Sequence, residues 1–146
     1  MYKLIITILF ICANTMALDV KVNTLRLESF NYPSRIVNLK ELKAKKVLIN
    51  FWASWCTSCI EEVPILNELK QDQNADNYRF ISVNVGDNKK KIKKFIKKYK
   101  FGYEVLMDPT REVTKSWGID ALPITVILDE NQQLIYQGIR PPQTLP

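Results

Sequence analysis

Cys56 and Cys59 are the residues of this chain whose types and spacing could carry out chemistry. They follow an apolar run, residues 48–55, that is typical of a β-strand and ends in two tryptophans; a helical pattern begins directly behind them. A cysteine at the start of a helix lies where backbone N–H groups and the helix dipole stabilise its thiolate. The second cysteine falls one helical turn later. This spacing predicts thiol–disulfide exchange, with Cys56 as an exposed nucleophile and Cys59 as a more buried resolving thiol.

Few roles besides thiol–disulfide exchange fit this cysteine pair. The 146 residues contain three cysteines and no histidine, which excludes hydrolases that rely on an imidazole base. A structural zinc site uses four Cys or His ligands, and only Cys12 remains beside the pair. We therefore expect no metal site and no cofactor. A zinc site completed by carboxylates or by a second chain, and a purely structural disulfide, remain as alternatives.

The N-terminus has the pattern of an export peptide. A short basic start is followed by an apolar stretch over residues 4–13 and by the small-x-small sequence Thr15-Met16-Ala17. We expect cleavage after Ala17, which divides the chain into a signal peptide, residues 1–17, and one domain, residues 18–146. An uncleaved membrane anchor is the alternative, although the apolar stretch is short of the ~20 residues that a spanning helix needs. Either outcome places the domain outside the cytoplasm, where disulfides persist and a dithiol must be recharged by a partner.

The formal net charge of +6 is concentrated in one segment. Residues 89–100 hold eight lysines and no acidic residue, and their apolar residues recur at helical spacing: Ile92, Phe95, Ile96 and Tyr99. This predicts an amphipathic helix with a lysine face (the lysine helix). The face is either a solvated surface or a contact for anionic lipid heads or an acidic partner. Behind an export signal we expect no nucleic acid partner.

Apolar patterns and turn residues predict an α/β fold. An N-terminal β-hairpin is expected over residues 25–30 and 35–39, with one helical turn at 39–43. Further strands are predicted over 47–52, 78–85, 103–107, 124–129 and 133–138, and helices from 57 to about 73, through the lysine helix and over 110–117. This order predicts a mixed central sheet covered by helices.

Residues 25–138 resemble the thioredoxin superfamily, and more closely the extracytoplasmic TlpA/ResA-like thiol:disulfide oxidoreductases. The resemblance is carried by Phe51-Trp52-Ala53-Ser54-Trp55-Cys56-x-x-Cys59, by Pro64, and by Leu122-Pro123-Ile124-Thr125. It implies a three-layer thioredoxin-like fold, in which the N-terminal hairpin and a helical insertion containing the lysine helix are typical of the exported branch. The branch also implies a location in the periplasm, or on the outer face of the cytoplasmic membrane, of a bacterium.

The resemblance also implies roles for residues around the cysteines. Leu122 and Pro123 would form a cis peptide whose turn abuts the sulfurs and pairs with a bound substrate chain. Trp55 would shape the substrate surface. Glu62 would influence the thiol pKa values and could relay a proton. Asn50 stands where cytoplasmic thioredoxins have a buried acid.

The function implied by the resemblance is reduction of specific protein disulfides, such as apocytochrome c cysteines before haem attachment. Protein disulfide or dithiol clients and a membrane thiol reductase, as electron donor, are the implied partners. A disulfide oxidase or isomerase, and a non-catalytic module that binds clients, remain as alternatives. The family usually ends in a helix packed on the sheet, but residues 139–146 contain three prolines, so we expect that helix to be missing.

Overall fold

The computed structural model describes residues 20–42 and 45–146. The predicted signal peptide, with Cys12, lies outside the described residues, so its cleavage stays a prediction. Within the described residues, none of the helices combines the length and the apolar character needed to cross a membrane.

The described residues form seven strands and three α-helices, with two short 3-10 helices at residues 39–41 and 75–77. The strands are β1 (Arg26–Ser29), β2 (Ile36–Asn38), β3 (Lys46–Trp52), β4 (Tyr78–Val85), β5 (Glu104–Asp108), β6 (Ile124–Leu128) and β7 (Leu134–Gly138). The helices are α1 (Thr57–Leu69), α2 (Lys89–Tyr99) and α3 (Glu112–Ser116), of which α2 is the lysine helix.

All seven strands belong to one mixed sheet in the order β2-β1-β5-β4-β3-β6-β7. Strands β3, β4 and β5 are parallel, whereas β1, β2, β6 and β7 each run antiparallel to their neighbours. In the β3–β4 register Trp52 lies opposite Asn84. Because parallel strands end at the same edge of a sheet, the loops after β3 and β4 lie side by side.

Each face of the sheet carries its own apolar core. On β3, Leu48 and Trp52 point to one face, where α1 and α2 pack. Val47, Ile49 and Phe51 point to the other face, where α3 and the first 3-10 helix pack. A strand buried on both faces needs a nearly continuous apolar sequence, which is what residues 47–52 provide. The three-layer α/β fold predicted from the sequence is confirmed.

Two helices are shorter than predicted, for local reasons. Helix α1 ends at Leu69, and the backbone N–H of Gln71 turns back to the carbonyl of Glu68 at 2.8 Å. Beyond it, the side chain of Asp72 accepts from the N–H of Asn74, a local bond that competes with helix continuation. Helix α3 begins only after Arg111, whose positive φ of 63° is not helical.

Residues 139–146 form no helix, as predicted from their prolines. The segment still covers part of the α1 face, because Leu145 is buried in the same apolar core as α1. Pro141 is buried as well. The Tyr136 hydroxyl, on β7, donates to the carbonyl of Arg140 at 2.7 Å and so holds the start of this segment against the strand. This irregular segment therefore brings Arg140 towards the site described next.

Candidate active site

Cys56 and Cys59 form a disulfide at the start of α1. Cys56 is the N-cap residue of the helix, and the backbone N–H of Cys59 donates to Cys56 Sγ at 3.2 Å. The predicted placement of the first sulfur at a helix N-terminus is confirmed. An N–H aimed at this sulfur would stabilise a thiolate on it after reduction.

The expectation that Cys56 is exposed is wrong. Only 5% of Cys56 and 3% of Cys59 are accessible, whereas the neighbouring Trp55 is 63% exposed. The reason is that the capping side chain turns back towards its own helix, so that both cysteines join the apolar core with Trp52 and Val63. The exposed Trp55 indole thus stands next to a disulfide that is almost fully covered.

The Leu122–Pro123 peptide is cis, as the resemblance implied. Pro123 is buried, and the half-buried Leu122 packs against both apolar cores. Leu122 also lines two surface grooves. One (the Trp55 groove) is lined by Trp55, Arg111, Thr114, Lys115, Asp120 and Leu122. The other (the Glu62 groove) is lined by Ser58, Glu62, Ile65, Pro123, Ile139 and Arg140.

Glu62 lies on α1, and its side chain lines the Glu62 groove. It is only 5% exposed, and its Oε2 has no hydrogen-bond partner among the described residues. Burial raises the pKa of Glu62 to about 7; Arg140 opposes the shift and Glu61 adds to it. Near neutral pH this carboxyl can therefore either take up or release a proton, which is what a proton relay beside a dithiol requires.

Asp87, in the loop after β4, was missed by the sequence analysis. Its carboxylate accepts from the Ser54 N–H at 2.7 Å, from the Ser54 hydroxyl at 2.8 Å and from Asn84 Nδ2 at 2.9 Å. Lys91 adds an ion pair at 3.9 Å. Asp87 therefore ties the loop before Cys56 to the loop after β4. The available signal was an acidic residue just past a buried parallel strand, at the edge where such loops meet.

Arg140 was also missed, and the sequence holds no local signal for it. It lies in the proline-containing segment after β7 and reaches the Glu62 groove only through the fold.

Asn50, by contrast, was singled out in the sequence analysis. It is buried, and its Nδ2 donates to Thr125 Oγ1 at 3.2 Å. Within residues 20–42 and 45–146 no three His, Cys, Asp or Glu side chains group as metal ligands would.

Comparison with known proteins assigns the family. The Redoxin family model matches residues 17–145. The chain belongs to the Redoxin family. Over 108 residues it is 32% identical to the thiol-disulfide oxidoreductase ResA of Bacillus thuringiensis subsp. konkukian, covering 74% of this chain and 62% of the relative. The ResA of Bacillus subtilis is 28% identical over 99 residues, which are 68% of this chain and 55% of that protein. The chain thus spans less than two thirds of the length of these relatives.

Solved structures support the fold. StoA from Bacillus subtilis superposes with a TM-score of 0.69 at 22% identity, covering 82% of this chain and 89% of StoA. A thiol:disulfide interchange protein from Bacteroides sp. superposes with a TM-score of 0.71 at 21% identity, covering 84% of this chain and 80% of that one. The chain is a TlpA/ResA-like member of the thioredoxin superfamily, as the sequence motifs implied.

Proposed function

We propose that this chain is a thiol-disulfide oxidoreductase that works through Cys56 and Cys59. The observation that carries the proposal is the disulfide at the N-terminus of α1, with the N–H of Cys59 directed at Cys56 Sγ. Similarity to the proteins named ResA supports it.

The proposed reaction is a pair of thiol–disulfide exchanges. In the reduced protein, the thiolate of Cys56 attacks one sulfur of a client disulfide, and the other client sulfur leaves as a thiolate. The thiolate of Cys59 then attacks Cys56 Sγ of this mixed disulfide. The client departs as a dithiol with two added electrons and two protons, and the Cys56–Cys59 disulfide forms. A separate dithiol donor must return two electrons to the pair for the next cycle.

The residues around the pair have distinct parts in this proposal. Glu62 accepts the proton that Cys59 loses before its attack, since its raised pKa places it near the pKa of a thiol. Trp55, Leu122 and Pro123 form the client surface, because they line the two grooves beside the disulfide. The backbone before Pro123 is the edge to which an extended client chain would be added.

The direction that we propose is reduction of client disulfides. Only Thr57 and Ser58 separate the cysteines, and no histidine is present to stabilise a thiolate on Cys56 by its charge. An ionised Glu62 would further disfavour that thiolate. A pair whose thiolate is weakly stabilised favours the disulfide and gives up its electrons readily. We further propose that apocytochrome c cysteines are the clients, that a membrane thiol reductase is the electron donor and that the chain is exported. The family resemblance and the export-peptide pattern support this part of the proposal.

Trapping of clients tests the assignment of the two cysteines. Reduced Cys59→Ser should accumulate mixed disulfides through Cys56, because the resolving thiol is gone. Cys56→Ser is the matched control and should trap few clients. The measurement is non-reducing electrophoresis after mixing with a peptide that contains a disulfide. Equal trapping by the two variants, or none by either, would contradict the proposal.

The reduction potential tests the direction. Equilibration with glutathione buffers should give a value nearer the about −270 mV of thioredoxin than the about −120 mV of a strong oxidant. A pair that stays reduced in mildly oxidising buffer would assign the chain to disulfide formation instead.

A further inference from the structure

A cleft of about 280 Å³ lies between α2 and the loop that precedes Cys56. Its lining consists of Ser54 and one stripe of the lysine helix: Lys91, Lys94, Phe95, Lys98 and Tyr99. The floor is aromatic and is firmly joined to the site, because the ring of Phe95 packs on Trp52 with the centroids 4.1 Å apart. Ser54 is two residues from Cys56, so the cleft borders the loop that leads into the redox pair.

The rim of this cleft is positively charged and has no acidic lining residue. Lys91 is paired with Asp87 at 3.9 Å. Lys94 and Lys98 form no salt bridge with any acid of the described residues, and Lys98 instead lies 4.9 Å from the ring centroid of Tyr99. Two unneutralised ammonium groups, four residues apart on one helix, repel each other and attract an anion.

We propose that this cleft docks an acidic segment of a protein client and so places the client disulfide at Cys56; the inference rests on the proposed oxidoreductase function. The matching ligand is a short run of Asp or Glu next to an apolar side chain, which would pack on the joined rings of Phe95 and Tyr99 while the carboxylates meet Lys94 and Lys98. Such charge pairing raises the rate of encounter and sets the orientation of the partner.

The shape of the cleft favours a client over a membrane surface, the other partner left open by the sequence. A planar layer of anionic head groups would meet every exposed lysine of α2, including Lys93 and Lys97, which do not line the cleft. The cleft is concave, aromatic at its floor and adjacent to Ser54. A client side chain can enter such a cleft and contact its aromatic floor, whereas a flat layer of lipid head groups cannot.

Two peptides with the same internal disulfide test the proposal. One carries a flanking segment of four Glu and one Leu, and the other carries four Gln and one Leu. The rate constant for reduction by the dithiol form of the protein should be about tenfold higher for the acidic peptide at low salt. The ratio should approach one at about 0.5 M salt, because the paired charges are screened.

Matched double variants separate the cleft from the general charge of the helix. Lys94→Glu/Lys98→Glu should reverse the ratio, so that the acidic peptide becomes the slower one. Lys93→Glu/Lys97→Glu changes the net charge equally, has the same spacing and lies outside the cleft, and it should keep most of the preference. The corresponding Gln double variants repeat the comparison without added acid, and circular dichroism checks that α2 remains helical.

The outcomes distinguish the two levels of the proposal. If the wild-type protein reduces neither peptide, the proposed reduction of client disulfides is itself wrong, and the docking proposal that rests on it is overturned with it. Equal rates for both peptides, or equal loss of preference in both Glu double variants, would overturn the docking proposal and leave the oxidoreductase function standing. A third result would assign the cleft to a membrane surface and would also overturn the docking proposal. In that result the wild type shows no peptide preference but binds phosphatidylglycerol vesicles, and Lys94→Glu/Lys98→Glu loses this binding.

Discussion

Asp87 and Glu62 are both carboxylates buried beside the redox pair, yet their surroundings differ in kind. Asp87 receives hydrogen bonds from the N–H and the hydroxyl of Ser54 and from Asn84, and it faces Lys91. Glu62 has an Oε2 without any hydrogen-bond partner in the described part of the chain, and its pKa is raised to about 7. Both carboxylates are therefore buried, and they differ in the number of hydrogen-bond donors around them.

This difference assigns the two carboxylates to different tasks. A buried carboxylate that receives several donors stabilises the fold, because each donor would be left unsatisfied without it. A buried carboxyl without donors prefers its neutral form and changes protonation near neutral pH. Asp87 is thus suited to hold the loop before Cys56 in place, and Glu62 is suited to exchange protons with the dithiol.

The largest expected effect comes from removing Asp87, the carboxylate that accepts several hydrogen bonds. Asp87→Ala leaves two groups of Ser54 and the amide of Asn84 without their acceptor, which should lower the free energy of unfolding by about 2–4 kcal/mol. Urea denaturation with the disulfide intact measures it. Asp76→Ala, at an exposed acid in the second 3-10 helix, is the control and should change stability by less than about 0.5 kcal/mol. Equal effects of the two variants would show that Asp87 is not an anchor.

The second effect is a pH dependence of stability that Glu62 should produce. Its pKa is about 7 in the folded chain against 4.5 as the ordinary value, so between these pH values the folded state binds more protons than the unfolded state. The free energy of unfolding should therefore fall as the pH rises from 4.5 through 7, by up to about 3 kcal/mol. The stabilising contribution is complete below pH 4.5 and is lost above pH 7.

Glu62→Gln should remove most of this slope, because the amide does not titrate. Glu68→Gln is the matched control, since Glu68 is an exposed carboxylate on the same helix and is not among the causes of the Glu62 shift, and it should retain the slope. Unfolding in urea at a series of pH values gives both curves. The absence of histidine keeps the upper part of this pH window, above the ordinary range of carboxyl groups, nearly free of other titrating side chains. Parallel curves for wild type and Glu62→Gln would show that Glu62 does not titrate as described.

The smallest effect concerns Arg140, the cation that opposes the shift at Glu62. Arg140→Gln should raise the pKa of Glu62 further, by a smaller step than burial has already caused, since burial is the larger cause. An NMR titration of the Glu62 side-chain carboxyl measures it. Arg26→Gln, on β1 and far across the sheet from β7, should leave that titration unchanged. An unchanged midpoint in Arg140→Gln would remove Arg140 from the site.

Much of the fold could be predicted because local patterns specify it. The apolar run over 47–52 and the pattern over 78–85 correspond to β3 and β4, and the lysine helix follows its apolar spacing. The ends of α1 and α3 could not be placed as well. They depend on a side-chain bond from Asp72 and on the left-handed backbone of Arg111, which apolar spacing does not report.

The amino-acid pattern predicted a cysteine pair at the start of a helix, and the family resemblance implied a proline loop beside it. The placement of the cysteines follows from residue types and short spacings, because a helix terminus and its N–H groups are local features. The assembled fold was needed to show that Cys56 is buried, that Glu62 Oε2 has no hydrogen-bond donor among the described residues, and that Asp87 and Arg140 lie at the site. Burial and electrostatic environment depend on contacts between residues far apart in the chain, and those contacts exist only when the sheet and its two layers of helices have assembled.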